Sequence, residues 1–427
     1  MNNLTARRVH NFRVHNRPSR WAAVLLTAVS PVACDAIVGA GAREFDPSIV
    51  CDDAGCACAE GRGDCDGDAD NGCETDLNQP ANCGACGNVC DNGDCQNLTC
   101  ACEGGFADCD GNPVTVCETD LQNDGSHCGS CERDCLGGTC KNGLCEPQMI
   151  PNTNAYGFGV HHGDVYFTHL SQPGLFRAPA NGGLAEKFSD SDALGLIVRI
   201  YKDQVVWSAT DSVVSTPLDG SPSTVIAQQV EPLYQMWVGG DQVYFDAPDD
   251  MMPTFSALMR VPLAGGAPEK ITVLGETKFL VDFAASEAHV YWDDVTLIRR
   301  APHDSTTASD FLNSPTSPTF FSADDKYLYF AGSQSGTYAV PLTGGAASEI
   351  ADAAPGYGSI QSDGENVYFL TFADGDAAVS VWRVPRDGAA PAVKLAEDAY
   401  AYSGQPISVD DEWVYWLSET AVARVPK

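Results

Sequence analysis

Along the C-terminal two thirds of the chain, apolar and polar residues alternate in short runs, and one three-residue run keeps returning. Its copies are Val165-Tyr166-Phe167, Val205-Val206-Trp207, Val243-Tyr244-Phe245, Val290-Tyr291-Trp292, Leu328-Tyr329-Phe330, Val367-Tyr368-Phe369 and Val414-Tyr415-Trp416. Their middle residues lie 40, 38, 47, 38, 39 and 47 positions apart, and a near-fixed period of this size marks a repeat architecture. Alternation predicts strands, because successive side chains on a strand point to opposite faces. Each unit closes on a proline, at Pro179, Pro217, Pro262, Pro302, Pro341, Pro385 and Pro426. Proline has no N–H to give to a ladder and fits where a strand leaves its sheet.

One period read in full predicts four strands, at 359–361, 367–370, 381–384 and 393–396. Four antiparallel strands in about 40 residues make a propeller blade. The expected fold class is all-β: a seven-bladed β-propeller, with six or eight blades as alternatives, preceded by a small disulfide-rich repeat region. The last unit reaches Pro426-Lys427 just after its third strand. The unassigned apolar run Gln148-Met149-Ile150 is therefore expected to cross over as the missing outer strand, since an uncovered sheet edge invites aggregation.

Residues 51–145 hold eighteen of the nineteen cysteines, and 51–146 a single aromatic, Phe106. So little apolar surface cannot order a segment, and cross-links must do it. The cysteines repeat: Cys58, Cys65, Cys73, Cys83, Cys86, Cys90, Cys95 and Cys100 match Cys102, Cys109, Cys117, Cys128, Cys131, Cys135, Cys140 and Cys145, while Cys51 and Cys56 match the tail of a unit. An even set of eighteen can pair completely and leaves Cys34 over. In an exported chain such a set reads as disulfides. Spacing does not give the connectivity.

The N-terminal end alone is basic. Arg7, Arg8, Arg13, Arg17 and Arg20 precede the apolar run 21–29, which is too short to span a membrane and reads as an export signal. Pro31-Val32-Ala33-Cys34 resembles the lipobox of bacterial lipoproteins, with Pro31 in place of the usual Leu; the resemblance implies acylation at Cys34. The expected organisation is an export signal at 1–33, a lipid-anchor tether at 34–50, a disulfide-rich region at 51–146 with eight-cysteine repeats at 58–100 and 102–145, and a propeller at 147–427. That places the protein in the cell envelope, anchored to the outer membrane by lipid alone, with secretion as the alternative.

The formal net charge of −34 argues against nucleic acid, because phosphate binding needs clustered Lys and Arg. Candidate chemistry is sparse. Asp64, Asp66, Asp68 and Asp70 alternate in a stretch that resembles acidic calcium loops, and calcium is the candidate cofactor. Ala69 and Thr75 occupy the loop positions where an EF-hand has Gly and Glu, so a solvated acidic turn competes. Cys83-Gly84-Ala85-Cys86 and Cys128-Gly129-Ser130-Cys131 have redox or zinc spacing without the flanking strand and helix of a thioredoxin-like site. His162 and His169 are weighed as a metal pair. No Gly-x-Ser-x-Gly elbow, phosphate loop or His-Glu-x-x-His occurs.

The long third and sixth periods carry inserts after the second strand. In the third, Asp246, Asp249, Asp250, Met251 and Phe255 put acid beside apolar side chains on one loop, a candidate binding surface.

Val290-Tyr291-Trp292-Asp293 and Val414-Tyr415-Trp416, each followed by an Arg-x-Pro strand, resemble the YWTD propellers of lipoprotein-receptor type and bacterial propellers of unassigned function. The cysteine-rich units look like extracellular repeats found beside bacterial propellers. YWTD rings have six blades, so the resemblance bears on fold more than on role. The expected role is binding an extracellular polysaccharide or protein. A propeller hydrolase or lyase acting on a polymer, and a structural envelope protein without ligand, are the alternatives.

Overall fold

The computed structural model describes residues 49–427 apart from 53–54, 69–71, 113–114, 190, 192, 229, 231–234, 249–255, 275–282, 295–296, 314–317, 333–335, 353–359, 373–378, 399–406 and 420. The described residues form strands and turns without a helix. Seven four-stranded antiparallel sheets make the propeller, each in simple sequential order except the last. Blade 1 comprises Ala155–His161, Asp164–His169, Leu175–Pro179 and Glu186–Lys187; blade 2 comprises Val198–Tyr201, Gln204–Ala209, Ser212–Pro217 and Thr224–Gln228. Blades 3, 4 and 5 span 236–273, 283–313 and 318–351. Blade 6 comprises Ile360–Ser362, Asn366–Phe372, Val379–Pro385 and Val393–Asp398. The blades number seven, neither six nor eight.

Blade 7 has Ser408–Val409, Trp413–Ser418 and Ala421–Pro426, and its outer strand is Gln148–Ile150, paired as Gln148↔Arg424, Met149↔Ala423 and Ile150↔Val422. The expected crossover is thus present and closes the ring.

The recurring three-residue run is explained by the packing. Its middle residue faces the following blade and its two flanking residues face the preceding one. Tyr244 of blade 3 packs with Val290 and Trp292 of blade 4, while Val243 and Phe245 pack with Val206 of blade 2. The rule holds around the ring, ending with Tyr415 of blade 7 against Val165 and Phe167 of blade 1. A second strand buried on both faces therefore needs apolar residues at every position. Burying each large side chain contributes roughly 1.5–3 kcal/mol.

The outer strands of blades 2 to 6 each carry one extra residue against the third strand, at Ile226, Ile271, Phe311, Ile350 and Leu395. Each bulge turns an apolar side chain onto the next blade. Phe188 of blade 1 and Ile150 of blade 7 fill the same place.

The cysteine-rich units share one connectivity. In the first, Cys58–Cys73, Cys65–Cys86, Cys83–Cys95 and Cys90–Cys100 are bonded; in the second, Cys102–Cys117, Cys109–Cys131, Cys128–Cys140 and Cys135–Cys145. The backbone sets Cys51 opposite Cys56 in the hairpin 49–58, the place taken by Cys95 and Cys100 in the first complete unit. Eight disulfides mark an extracytoplasmic protein.

The second unit is docked on the propeller. Cys128, Cys135 and Cys145 share a core with Val381, Leu395 and Val425, and the Arg133 guanidinium donates to the carbonyls of Lys394 and Leu395 on the outer strand of blade 6. This half of the disulfide-rich region is therefore part of the ring's wall.

Candidate functional site

The two ends of the propeller differ in what their side chains do. At the end carrying the first-to-second-strand turns, acidic residues are engaged by the fold itself. Asp324 Oδ1 accepts the Lys326 and Tyr327 amides, and Oδ2 accepts Tyr329 Oη at 2.6 Å and Ser362 Oγ of the next blade at 2.8 Å. Asp363 repeats this with the Glu365 and Asn366 amides, Tyr368 Oη at 2.9 Å and Lys427 Nζ of blade 7 at 2.7 Å. Asp410 caps Glu412 and Trp413 and accepts Tyr415 Oη at 2.7 Å. Burial pushes the Asp363 carboxyl up, but the amides, the Lys427 ammonium and the phenol outweigh it and hold it at about 2. These carboxylates cap turns and latch blades, the hairpin role their regular recurrence implies.

At the opposite end, blades 1 and 2 present a corner of a different kind. Tyr156 is the extra residue of a bulge in the innermost strand of blade 1, between the pairs Ala155↔His169 and Gly157↔Thr168. Tyr156, Leu170, Leu194 and Leu196 are 41%, 42%, 47% and 37% exposed, and backbone contacts bring their segments together. A Cβ on Gly157 would lie 2.1 Å from the Leu196 carbonyl oxygen, so the connection between the blades runs directly against the bulge. Leu170 N donates to Asn154 O at 3.0 Å, and Ser208 Oγ accepts both the Leu196 and Ile197 amides at 3.2 and 3.0 Å.

His169 lies beneath this corner. Its Nδ1 accepts the Ser171 amide at 3.1 Å, which leaves the proton on Nε2, 3.5 Å from the Gln172 side-chain amide. Burial pushes the His169 pKa down, so the imidazole is neutral at pH 7.

The other sequence-predicted residues fall as follows. Cys34 and the export signal lie outside the described residues, as do Asp70, Asp249, Asp250, Met251 and Phe255. Asp246 Oδ1 accepts the Gln235 amide at 2.8 Å and so ties down its own blade. Asp64 and Asp66 come together with Glu74, while Asp68 is exposed in the same turn. Asp64 Oδ1 accepts Gly67 N at 2.7 Å, Asp66 Oδ1 accepts Asp68 N at 2.9 Å and Glu74 Oε1 accepts Cys65 N at 3.3 Å. The second unit repeats the cluster with Asp108, Asp110 and Glu118, and there the Cys109 amide leads the hydrogen bonds that hold the Glu118 carboxyl below its usual range. Sequence spacing missed both glutamates because each lies eight residues beyond the second aspartate of its cluster.

The disulfide reading of the cysteines holds, and two competing readings fall away. The CxxC cysteines each bond outside their motif, Cys83 to Cys95 and Cys86 to Cys65, Cys128 to Cys140 and Cys131 to Cys109, which leaves no thiolates for redox exchange within the motif or for zinc. His162 precedes the second strand of blade 1 and His169 ends it, so the two cannot converge on a metal; His162 instead stacks on His161 at 3.9 Å.

No protein-family model matches the chain, and no curated protein does. Among solved structures it is similar to an oligogalacturonate lyase in complex with manganese (13% identity, TM-score 0.49, covering 65% of this chain and 89% of that one). It is also similar to the nidogen/laminin complex (14%, TM-score 0.34, covering 44% and 76%). A third is the extracellular domain of a one-component system from B. thetaiotaomicron (10%, TM-score 0.45, covering 66% and 40%).

Proposed function

We propose that this chain is an extracytoplasmic recognition protein of a bacterial envelope, held at the membrane by a lipid on Cys34, whose propeller binds an extracellular polysaccharide or protein. The observation that carries this reading is the corner at Tyr156, Leu170, Leu194 and Leu196, four exposed apolar side chains grouped at one end of a strongly acidic chain. Apolar surface left exposed on a rigid scaffold is characteristic of a binding site.

The test is a binding screen of the exported, oxidised protein against glycans and envelope proteins, with Leu194→Asp alongside. Saturable binding that the aspartate abolishes, with the melting temperature unchanged, is the expected result. Binding that is indifferent to the aspartate places recognition elsewhere and defeats the assignment.

A further inference from the structure

Resting on that recognition reading, we infer that the corner is a subsite for an uncharged sugar unit of a glycan, with the Tyr156 ring as its stacking face. The bulge at Tyr156 is held in place rather than loose. Thr168 Oγ1 accepts the Gly157 amide at 3.1 Å and lies 3.4 Å from its carbonyl, so one side chain pins the backbone next to the bulge from both sides. The contact between Gly157 and the Leu196 carbonyl leaves no room for any other residue at 157. A bulge re-aims a side chain, and here it turns the one aromatic of that inner strand's outer end to solvent while Phe158 beside it stays in the core.

The face of a pyranose presents a patch of C–H groups, which packs on an aromatic face or on leucine, and its rim presents hydroxyls that need donors and acceptors. Both are available. Gln172 Nε2 lies 3.5 Å from His169 Nε2, and the exposed Gln172 side-chain amide offers both a donor and an acceptor at the edge of the corner. Tyr156, Leu170, Leu194, Leu196 and Gln172 carry no charge, and the chain's net charge of −34 opposes an acidic polymer. A stable protein interface needs about 800 Å² per partner, more than four partly exposed side chains offer. A small, uncharged, amphipathic ligand fits better.

The experiment measures binding of the exported, oxidised full chain to soluble neutral glucans, mannans and galactans, with polygalacturonate and alginate as charged counterparts. Tyr156→Ala, Tyr156→Phe and Gln172→Ala are compared, and circular dichroism and melting confirm the fold. At least one neutral glycan is expected to saturate. Tyr156→Ala should weaken it at least about tenfold, as for an aromatic anchor, whereas Tyr156→Phe should retain most of the affinity because stacking uses the ring and not the hydroxyl. The inference is overturned if no neutral glycan binds, or if binding is indifferent to both Tyr156→Ala and Gln172→Ala. A photo-crosslinker at position 156 separates it from the broader reading. A protein captured there, saturable on titration and without neutral-glycan binding, sinks the glycan subsite and leaves recognition standing; failure of both arms sinks both.

Discussion

His303 joins blades 3 and 4 through both of its ring nitrogens. Nε2 lies 2.9 Å from the Ser286 carbonyl and must donate to it, so Nδ1 accepts from Tyr244 Oη at 2.5 Å. Only the neutral ring with its proton on Nε2 serves both. Burial lowers the His303 pKa and the Arg260 cation lowers it further, against the opposing pull of the Ser286 carbonyl and Glu287. A histidine whose folded pKa is depressed contributes stability that is complete above its unfolded pKa of about 6.5 and is lost as pH falls through the folded value. His161, His169 and His289 are depressed with burial as the main cause and act in the same direction. Urea unfolding should therefore show stability falling from pH 7.5 to pH 5, and His303→Gln, which keeps a donor and an acceptor but does not titrate, should fall less. Equal losses in the two proteins would show that His303 is not part of the acid response. Asp363 belongs to a lower window: its carboxyl, held at about 2, contributes stability above pH 4 that is lost as pH drops toward 2, and Asp363→Asn should remove that part of the acid transition. The turn role of Asp324, Asp363 and Asp410 follows from their recurrence at one place, before the second strands of blades 5, 6 and 7. His303 was not legible in the sequence, because nothing local distinguishes it; its partners lie 17 and 59 residues away.

At the level of elements, the third strand ends on its proline in every blade, and the next residue reaches back to the preceding blade. Lys427 follows Pro426 and bonds Asp363 of blade 6; Arg386 follows Pro385 and sits 3.7 Å from Asp324 of blade 5; His303 follows Pro302 and meets Tyr244 of blade 3. The second strands were readable because both their faces are buried and the aromatic run is dense. The outer strands were harder, since a bulge breaks the period of two on which strand reading depends. That bulge gives a sharp test within one strand. Leu395, the extra residue of blade 6, is fully buried, while Val393 two positions earlier is 44% exposed. Leu395→Ala should destabilise by about 2–5 kcal/mol, and Val393→Ala by about 0.5 kcal/mol or less, measured by the same urea titration. Similar costs at the two positions would contradict the inward-facing bulge.

For the whole molecule, the ring closes on a strand three residues beyond the last cysteine. Gln148 follows Cys145 closely, its side-chain amide donates to the Cys135 carbonyl at 3.0 Å, and its oxygen accepts from Arg424 of blade 7 at 3.2 Å. Arg133 fixes the same unit to blade 6, with its guanidinium, although burial and Arg383 push its pKa down to about 10, still charged at neutral pH. The second cysteine-rich unit thus clamps the seam where the ring is shut. Sequence reasoning found the closing strand, because an open seventh blade demanded one, but it set the cysteine-rich region apart from the propeller: the surface that docks is made of half-cystines and one arginine, and no periodicity marks it. If the clamp holds, Arg133→Ala forfeits charge-assisted hydrogen bonds of about 1.5–3 kcal/mol. Hydrogen exchange at 148–150 and 421–426 should accelerate roughly tenfold or more, while blades 2 to 4 keep their protection. Cys128→Ser with Cys140→Ser should do the same, whereas Cys58→Ser with Cys73→Ser, in the first unit, should leave exchange at the seam unchanged. An unaltered seam in Arg133→Ala, or equal effects from the two disulfide pairs, would mean that the ring closes on its three strand pairs alone.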